Sequence, residues 1–440
     1  MRTEGVPDGG DWLIVLMAVY AIAWFALVRL PWDIVRSPIA GSDLSSYYTA
    51  GYLVRTGEAE GLYDTAPGDT ILGDATSGRW REAGNALGIE RQHYYIYPPF
   101  FAILVAPLSL LPFHAARLAW LGSDLLLLGL FVWLYLAWRR GDGTDPGRLE
   151  LALVAVTLGL EFLPLIWALA IGQTSLIILA LLAGTILCAK REKEAAGGLL
   201  LGFAAAIKLT PALLLIYFLL RGRRRLALWG LATFAACTLL AAVALGPAPT
   251  IRFFMTVAPA MSGGTSYFLN QSLPGFLDRM AGSDDVSQVA LSAQPLVKGL
   301  ATAGSLCLLA FSYYCFRRRP GRPVGLELDL EVSAVILLTL VLSPISWTHH
   351  YLLITVPLYT IAAAAIREAR PSPVIAVSAG VAFLLIARKP HYELFTEGIW
   401  RLALSAALYG ALILLAACLL LHSRGPGTAA TGEAEAAHAG

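Results

Sequence analysis

The chain has 440 residues, of which 57% are hydrophobic and 14% charged, and its formal net charge is +2. A mean hydropathy of +0.67 excludes a water-soluble domain, because runs of roughly 20 apolar residues, each long enough to cross a bilayer, recur from Trp12 to Leu421. The composition therefore predicts an all-α, polytopic membrane protein. The nearly balanced charge gives no reason to expect nucleic-acid binding.

The first predicted span runs from about Trp12 to Leu30. No strongly basic segment precedes it and no small-residue cleavage site follows it, so we expect a retained helix rather than a signal peptide. A long polar stretch, residues 31–97, is expected outside the cytoplasm. It contains helix-compatible pieces at Ser45–Arg55 and Thr76–Leu87.

Further apolar runs bring the predicted total to about twelve spans with both ends cytoplasmic. They are Pro98–Pro112, Ala115–Trp138, Leu149–Ala170, Thr174–Ala189, Gly197–Leu220, Leu226–Leu245, Leu296–Phe316, Glu331–Leu342, Tyr351–Ile366, Pro373–Ala387 and Ile399–Leu421. A second external loop covers residues 246–295. The prediction is one membrane-embedded domain, residues 1–422, followed by a Gly- and Ala-rich tail, residues 423–440, expected to be disordered.

Two arginine clusters suggest the orientation. Residues 221–225 and 317–322 each hold four arginines and no acid, and such loops favour the cytoplasmic side. The twelve-span arrangement nevertheless places Arg139–Arg140 and the mixed-charge residues 190–194 outside. A rival arrangement has a re-entrant hairpin at Lys208 and fewer crossings; both arrangements leave the two long polar loops external.

Several chemistries lack their sequence signatures. The five cysteines lie singly, without metal-ligand spacing. No phosphate-binding P-loop, hydrolase nucleophile elbow or zinc motif is present, and the external stretches lack an Asp-x-Asp motif. We therefore predict no cofactor and no metal site, leave metal dependence open, and do not expect nucleotide-driven chemistry.

Asp43 is the first candidate catalytic residue. It follows the first span in the segment Gly41–Tyr48, where a carboxylate near the lipid head groups can take a proton from an attacking hydroxyl. The alternative is structural, because Asp is a favoured helix N-cap and helix-compatible residues follow it.

His349 and His350 form a second candidate, at the entry to a predicted span. A histidine can move protons near neutral pH or hold a phosphate oxygen. Alternatively, these rings, Trp347 and Tyr351 merely anchor the helix at the interface. Adjacent helical positions diverge by roughly 100°, so we expect one of the two histidines to face a shared site.

Lys208 interrupts an apolar span, and a cation there is costly enough to indicate function. It is suited to neutralise a lipid phosphate, or it snorkels or pairs with Glu161 or Asp124. Pro211 is expected to disturb the backbone locally. The amides of Gln173, Asn270 and Gln271 suit sugar hydroxyls, although each also fits a turn.

In their order along the chain, these motifs resemble glycosyltransferase family 87, the polyprenyl-phosphate-mannose-dependent α-1,2-mannosyltransferases. The resemblance covers roughly residues 12–420. It is carried by Asp43 with Tyr47-Tyr48, Gly61-Leu62-Tyr63-Asp64, Tyr97-Pro98-Pro99, Gly172-Gln173, Lys208-Leu209-Thr210-Pro211, Asn270-Gln271-Ser272 and Ser343–His350.

The resemblance implies a GT-C fold with short helices in the first external loop, and an inverting enzyme of the plasma membrane. Its active site faces outward and moves a sugar, in this family mannose, from a polyprenyl phosphate to a glycolipid or glycan. The family's acidic residue corresponds to Asp43 and its histidine pair to His349 and His350. Cations such as Lys208 or Arg252 would steady the departing phosphate.

The remaining candidate substrate-binding residues are Tyr47, Tyr48, Tyr97, Gln173, Asn270, Gln271 and Trp347. The competing hypothesis is a transporter or flippase of a lipid-linked sugar, for which paired broken helices are expected; the sequence has one clearly interrupted span. A third hypothesis is a non-catalytic scaffold. The acceptor and the exact sugar stay open at this point.

Overall fold

The computed structural model describes residue 16 and residues 19–141, 162–282, 285–291, 294–367, 372–388 and 392–424. Helices dominate these ranges, and β pairing within them is limited to two isolated bridges, Asp74↔His93 and Asn270↔Trp347. The prediction of an all-α protein is confirmed. Most of the tail expected after residue 422 lies outside the described residues, although the last helix continues through Arg424.

The α-helices are numbered in chain order. They are α1 Ser42–Arg55, α2 Gly78–Ala86, α3 Pro99–Val105, α4 Phe113–Gly141, α5 Leu163–Ile171, α6 Ser175–Lys190, α7 Glu194–Ile207, α8 Ala212–Leu220, α9 Arg224–Leu245, α10 Pro247–Arg252, α11 Ala258–Met261, α12 Leu273–Met280, α13 Pro295–Arg317, α14 Gly325–Leu342, α15 Thr355–Arg367, α16 Pro373–Ala387 and α17 Ala406–Arg424. Two π-helical segments, Phe25–Val35 and Phe253–Val257, and 3-10 turns at Ala59–Tyr63, Ala106–Leu110, Thr348–Ile354, Tyr392–Leu394 and Gly398–Ser405 complete the described set.

Four described helices are long and apolar enough to cross a membrane. They are Phe113–Arg140, Arg224–Leu245, Pro295–Arg317 and Gly398–Arg424. The bent pair α5 and α6 would make a fifth span. These helices are those of a membrane protein, but the predicted count of about twelve is not confirmed within the described ranges; residues 12–15 and 149–161 of two predicted spans lie outside them.

One predicted span has a different structure. Instead of a continuous helix over Pro98–Pro112, α3 ends at Val105 and a 3-10 turn follows at Ala106–Leu110. Pro107 lies in that turn and lacks the N–H that a continuing α-helix would use. The apolar run is therefore two short pieces, which pack against α1.

Two helices are broken at polar residues. Between α5 and α6 the chain bends by 118°, and Gly172 adopts a positive φ of 73° where an added Cβ would lie 2.8 Å from Leu44, so only glycine fits. The predicted single span Gly197–Leu220 is likewise split into α7 and α8. Lys208 is extended at this break, and the expected disturbance before Pro211 is confirmed.

The first polar stretch forms helices at both expected places, α1 and α2. The segment before α3 is fastened to α1, since Gln92 Nε2 donates to Thr49 Oγ1 at 2.7 Å and Ser46 Oγ donates to the Tyr94 carbonyl at 3.1 Å. These contacts place His93, between Gln92 and Tyr94, next to α1.

A separate group of buried charged residues joins α8, α14 and α17. We call Tyr217, Arg221, Glu331 and His422 the Glu331 cluster. Arg221 donates to both Glu331 oxygens at 2.8 Å, while the Tyr217 hydroxyl donates to one of them and the His422 ring contacts the other, each at 2.9 Å. Glu331 is completely buried, so each of its oxygens is satisfied inside the protein.

Candidate active site

Asp43 lies in the first turn of α1, one residue inside its beginning. The turn is held by the Gly41 amide, which donates to the Ala170 carbonyl at 2.7 Å. The Asp43 side chain makes no cap; it accepts a hydrogen bond of 2.6 Å from Gln173 Nε2. The alternative of a structural N-cap at Asp43 is therefore wrong, and the carboxylate is turned toward the break between α5 and α6.

The amide of Gln173 is held in one orientation. Four donors lie 2.8 to 2.9 Å from its oxygen: the hydroxyls of Tyr47 and Tyr97 and the amide and hydroxyl of Thr174. With so many donors at the oxygen, the NH₂ group must face the other way, toward Asp43. Gln173 is buried, so it meets the Asp43 carboxylate from the inside of the protein.

His349 completes this string of contacts. Its Nε2 lies 3.0 Å from Gln173 Nε2. Because the amide nitrogen is a donor, the histidine nitrogen accepts, which places the ring proton of neutral His349 on Nδ1. Asp43, Gln173 and His349 thus form a continuous hydrogen-bonded string across residues far apart in sequence.

Lys208 and His350 form the second half of the site. The Lys208 ammonium lies 2.7 Å from His350 Nε2, and the two histidine rings meet edge to face with centroids 4.6 Å apart. We expected one of the two histidines to face a shared site. In the structure, both rings contribute, His349 toward Gln173 and His350 toward Lys208.

Tyr97 joins the two halves. Its hydroxyl bonds to Gln173, and its ring lies 5.6 Å from the Lys208 nitrogen in a cation–π contact. Tyr47 donates to the Tyr97 hydroxyl at 2.8 Å. The predicted residues Asp43, Tyr47, Tyr97, Gln173, Lys208, His349 and His350 are thus brought together; we call them the Asp43 cluster.

Four other predicted substrate-binding residues lie away from the Asp43 cluster or are engaged by backbone. The Asn270 amide contacts the carbonyls of Thr265 and Pro344 and the Ser346 amide, at 2.8 to 3.1 Å. The Gln271 amide is likewise held by backbone groups. Trp347 bridges to Asn270, and Tyr48 donates to the Leu111 carbonyl at 2.6 Å.

Arg252 lies elsewhere too. It forms an ion pair with Asp64 and donates to the Glu60 carbonyl at 3.3 Å. Lys208, in contrast, contacts no carboxylate within the part of the chain that the structure describes; the alternative pairing with Asp124 is not found there, and Glu161 lies outside the described residues. Lys208 is therefore the cation that the fold brings to the Asp43 cluster.

One residue of the neighbourhood was missed by sequence reasoning. His93 Nδ1 lies 2.8 Å from the Asp74 carboxylate, and its charge acts on Asp43. Burial lowers the pKa of His93, but the hydrogen bond to Asp74 and the nearby Asp43 carboxylate together raise it. A single His in a polar loop gives no sequence signal; its pairing with Asp74 depends on the fold.

The pKa of Asp43 is raised above its ordinary value. Burial penalises the charged carboxylate and is the largest cause, while His93, Lys208 and the Gln173 hydrogen bond oppose the rise. A carboxylate of raised pKa is a better proton acceptor than an ordinary one. The arrangement combines such a base with a cation and two imidazoles, which suits proton removal beside a developing anion.

Comparison with known sequences supports a specific chemistry. The model of glycosyltransferase family 87 matches residues 95–344, more than half of the chain. Gln173, Lys208 and Asn270 lie within that range, and Ser343 and Pro344 are its last two residues. Asp43 lies before the range, and His349 and His350 lie after it.

Curated relatives agree with the family match. A polyprenol-phosphate-mannose-dependent alpha-(1-2)-phosphatidylinositol mannoside mannosyltransferase of Mycobacterium tuberculosis is 33% identical over 271 residues, 58% of this chain and 59% of the relative. A pentamannoside mannosyltransferase of Mycolicibacterium smegmatis is 33% identical over 272 residues, 58% of each chain. The match therefore spans less than two thirds of either relative's length. Another mannosyltransferase of M. smegmatis is 28% identical over 70% of this chain and 71% of its own.

Proposed function

Because the chain belongs to glycosyltransferase family 87, we propose that it transfers mannose from a polyprenyl-phosphate donor to a hydroxyl of a glycolipid or glycan acceptor. The observation that carries the proposal is the Asp43 cluster, in which a positioned carboxylate and a lysine in contact with His350 lie on either side of Tyr97. The relatives' names supply the donor and a phosphatidylinositol mannoside acceptor class.

The reaction is a single displacement. The acceptor oxygen forms a bond to the anomeric carbon of mannose while the bond from that carbon to the phosphate oxygen breaks. Asp43 takes the proton of the attacking hydroxyl, and polyprenyl phosphate leaves with the electron pair. The anomeric centre inverts, so a β-linked donor gives an α-linked product.

Each half of the Asp43 cluster has a role in this mechanism. Gln173, held by Tyr47 and Tyr97, aims the carboxylate at the acceptor. Lys208 and His350 stabilise the negative charge that develops on the departing phosphate, since fixed charges in a water-poor site act strongly on a transition state. His349 links the two halves and keeps Gln173 in place.

The same proposal extends to the architecture. Residues 1–422 form one membrane-embedded domain of GT-C type with about twelve spans, the helices α1 and α2 belong to its first external loop, and the active site faces the extracytoplasmic side of the plasma membrane. The undiluted arginine clusters at 221–225 and 317–322 support this orientation.

A lipid-linked-sugar flippase is the second candidate. It is favoured by the two broken helices, at Gly172–Thr174 and at Lys208–Pro211, because broken helices commonly form transporter sites. The sequence indicated one such break; the described residues contain two that lie at polar side chains. A flippase moves its lipid intact, whereas a transferase consumes the bond between sugar and phosphate.

The test is a transfer assay with the purified full-length protein, polyprenyl phosphate carrying ¹⁴C-labelled mannose, and a mixed mannolipid extract. We expect label in a new glycolipid, and a loss of roughly 10²–10⁴-fold for Asp43→Asn, the range for removal of a general base. Glu58→Gln, at an exposed carboxylate beyond the end of α1, is the matched control and should retain activity.

The outcomes separate the candidates. Unconsumed donor that crosses the bilayer of a proteoliposome identifies a flippase. Full transfer by Asp43→Asn removes Asp43 from the role of base while leaving the enzyme class in place.

A further inference from the structure

A cavity lies outside the helices that are long enough to cross a membrane, and its wall residue Tyr63 contacts Tyr97 of the Asp43 cluster. Its volume is about 400 Å³. Three segments form its walls: residues 63–71, which follow the 3-10 turn Ala59–Tyr63, residues 252–260, which follow the end of α9, and Ala290 with Leu291. A cavity of this size is in the range of small-ligand sites.

Hydroxyl groups and balanced charges characterise the lining. The polar lining residues are Tyr63, Thr65, Asp69, Thr70, Arg252 and Thr256. The charge of Arg252 is matched by Asp64, and the Asp69 carboxylate accepts hydrogen bonds from Thr76 and Tyr94 at 2.6 to 2.9 Å.

This charge balance decides which ligand fits. A phosphate site needs an excess of cationic donors, and here the guanidinium is already paired while a second carboxylate faces the same space. Threonine hydroxyls with one fixed acceptor and one fixed donor instead suit an uncharged molecule with many hydroxyls. A sugar has this chemistry.

The cavity is connected to the Asp43 cluster through the protein. Tyr63 forms part of its wall, and the Tyr63 hydroxyl donates to the Tyr97 carbonyl at 2.7 Å. The Tyr97 side chain in turn bonds to Gln173, which holds Asp43. The chain of contacts from the cavity wall to the carboxylate thus passes through the whole of Tyr97 and the Gln173 side chain.

We infer that this cavity binds the non-reacting sugars of an oligosaccharide acceptor while the terminal sugar reaches Asp43. The inference rests on the proposed function and deepens it, because it makes the acceptor a glycan of more than one residue rather than a lone sugar. The position beyond the end of α9 fits this assignment, since a glycolipid head group projects out of the membrane.

The experiment fills the cavity without removing any polar group. Ala260→Trp and Ala290→Trp place bulk on two different wall segments at exposed positions, so folding should survive. Met255→Trp is the matched control, because Met255 is 73% exposed on the same wall segment and does not line the cavity.

The first arm measures binding of a soluble α-mannooligosaccharide to the full-length protein by calorimetry. We expect both cavity-filling variants to weaken binding by about tenfold or more, since excluding part of a ligand from a shaped pocket costs at least this much. Met255→Trp should bind as the unaltered protein does. Absence of binding to the unaltered protein, or equal binding by all three variants, would overturn the inference.

The second arm measures mannose transfer to the phosphatidylinositol pentamannoside and to methyl α-mannoside. The expected result is a raised KM for the pentamannoside alone, with the donor KM and the transfer to methyl α-mannoside unchanged. An equal effect on both acceptors would overturn the inference, because it would show damage to the whole site. Oligosaccharide binding without any transfer would contradict the proposed function while leaving the cavity assignment intact.

Discussion

The molecule contains two polar clusters, one fully buried around Glu331 and one partly buried around Asp43, in which the charged groups are paired in different ways. In the Glu331 cluster, Arg221 meets both carboxylate oxygens of Glu331, and Tyr217 and His422 add further contacts. In the Asp43 cluster, the carboxylate bonds to an uncharged amide and the lysine to an uncharged imidazole.

The difference separates a cluster that holds helices together from one that we propose to be catalytic. A carboxylate already neutralised by a guanidinium has little affinity left for a proton or a substrate, whereas the closest polar contacts of Asp43 and Lys208 are to uncharged side chains. Glu327, Glu331 and His422 also have ligand atoms within 4.8 Å of one another, but Arg221 occupies both oxygens of Glu331, which disfavours a metal ion there. The Glu331 cluster is therefore best described as structural.

The largest expected effect is on stability, in the Glu331 cluster. Glu331→Ala removes both carboxylate oxygens that the buried Arg221 contacts at 2.8 Å and leaves only Glu327, 3.8 Å away, so we expect a loss of about 3–5 kcal/mol of unfolding free energy. Thermal unfolding in detergent would measure it. The double variant Arg221→Met with Glu331→Met should recover most of the loss, and failure to recover would mean that the guanidinium pairing is not the source of the stability.

The second effect is on activity, in the Asp43 cluster. Lys208→Met removes the cation opposite the departing phosphate, so the transfer rate should fall by roughly 10²–10³-fold, the range for loss of one electrostatic stabiliser. Lys298→Met, at an exposed position near the start of α13, is the control. If both lysine variants transfer mannose equally well, phosphate stabilisation must come from another group.

The third effect concerns pH. Burial raises the pKa of Asp43, and the charge of His93 opposes this rise. Asp43 must be ionised to act as a base. The rate should therefore fall as the pH drops through this raised value, above the ordinary range of a carboxylate. His93→Gln removes the opposing charge and should move the acid limb of the pH–rate profile to higher pH; the exposed His114→Gln should not move it.

The smallest effect is on stability, again in the Asp43 cluster. Asp43→Asn keeps the shape of the side chain and removes a buried charge that no cation contacts directly, so its unfolding free energy should change by less than about 1 kcal/mol. The same unfolding measurement as for Glu331→Ala provides the comparison. A loss as large as that of Glu331→Ala would show that both clusters are structural.

Sequence reasoning identified the individual polar residues better than their partners. Asp43, Lys208 and the histidine pair stand out because polar residues beside or within apolar runs are costly. Their contacts could not be predicted, because Asp43 and Gln173 are 130 positions apart and Lys208 and His350 are 142 apart. The pairing of His93 with Asp74 likewise has no local signal.

The helix pattern was predictable where one apolar run makes one straight helix. The predicted ends of the runs at Leu226–Leu245 and Leu296–Phe316 fall within two residues of α9 and α13. The runs at Pro98–Pro112 and Gly197–Leu220 are broken, because hydropathy averages over a window while a single proline or lysine decides where the backbone turns. Hydropathy therefore locates these two apolar runs but not the breaks within them.

The separation of the Asp43 cluster along the chain has a consequence for its assembly during synthesis. Asp43 and Gln173 lie in the first half of the polypeptide, but His349 and His350 are made only after more than three quarters of the 440 residues. A chain that inserts from its N-terminus cannot complete the cluster until the Thr348–Ile354 turn is in place. Under the proposed mechanism, the nascent protein therefore gains activity only when the turn that carries the two histidines is in place, after most of the chain has been inserted.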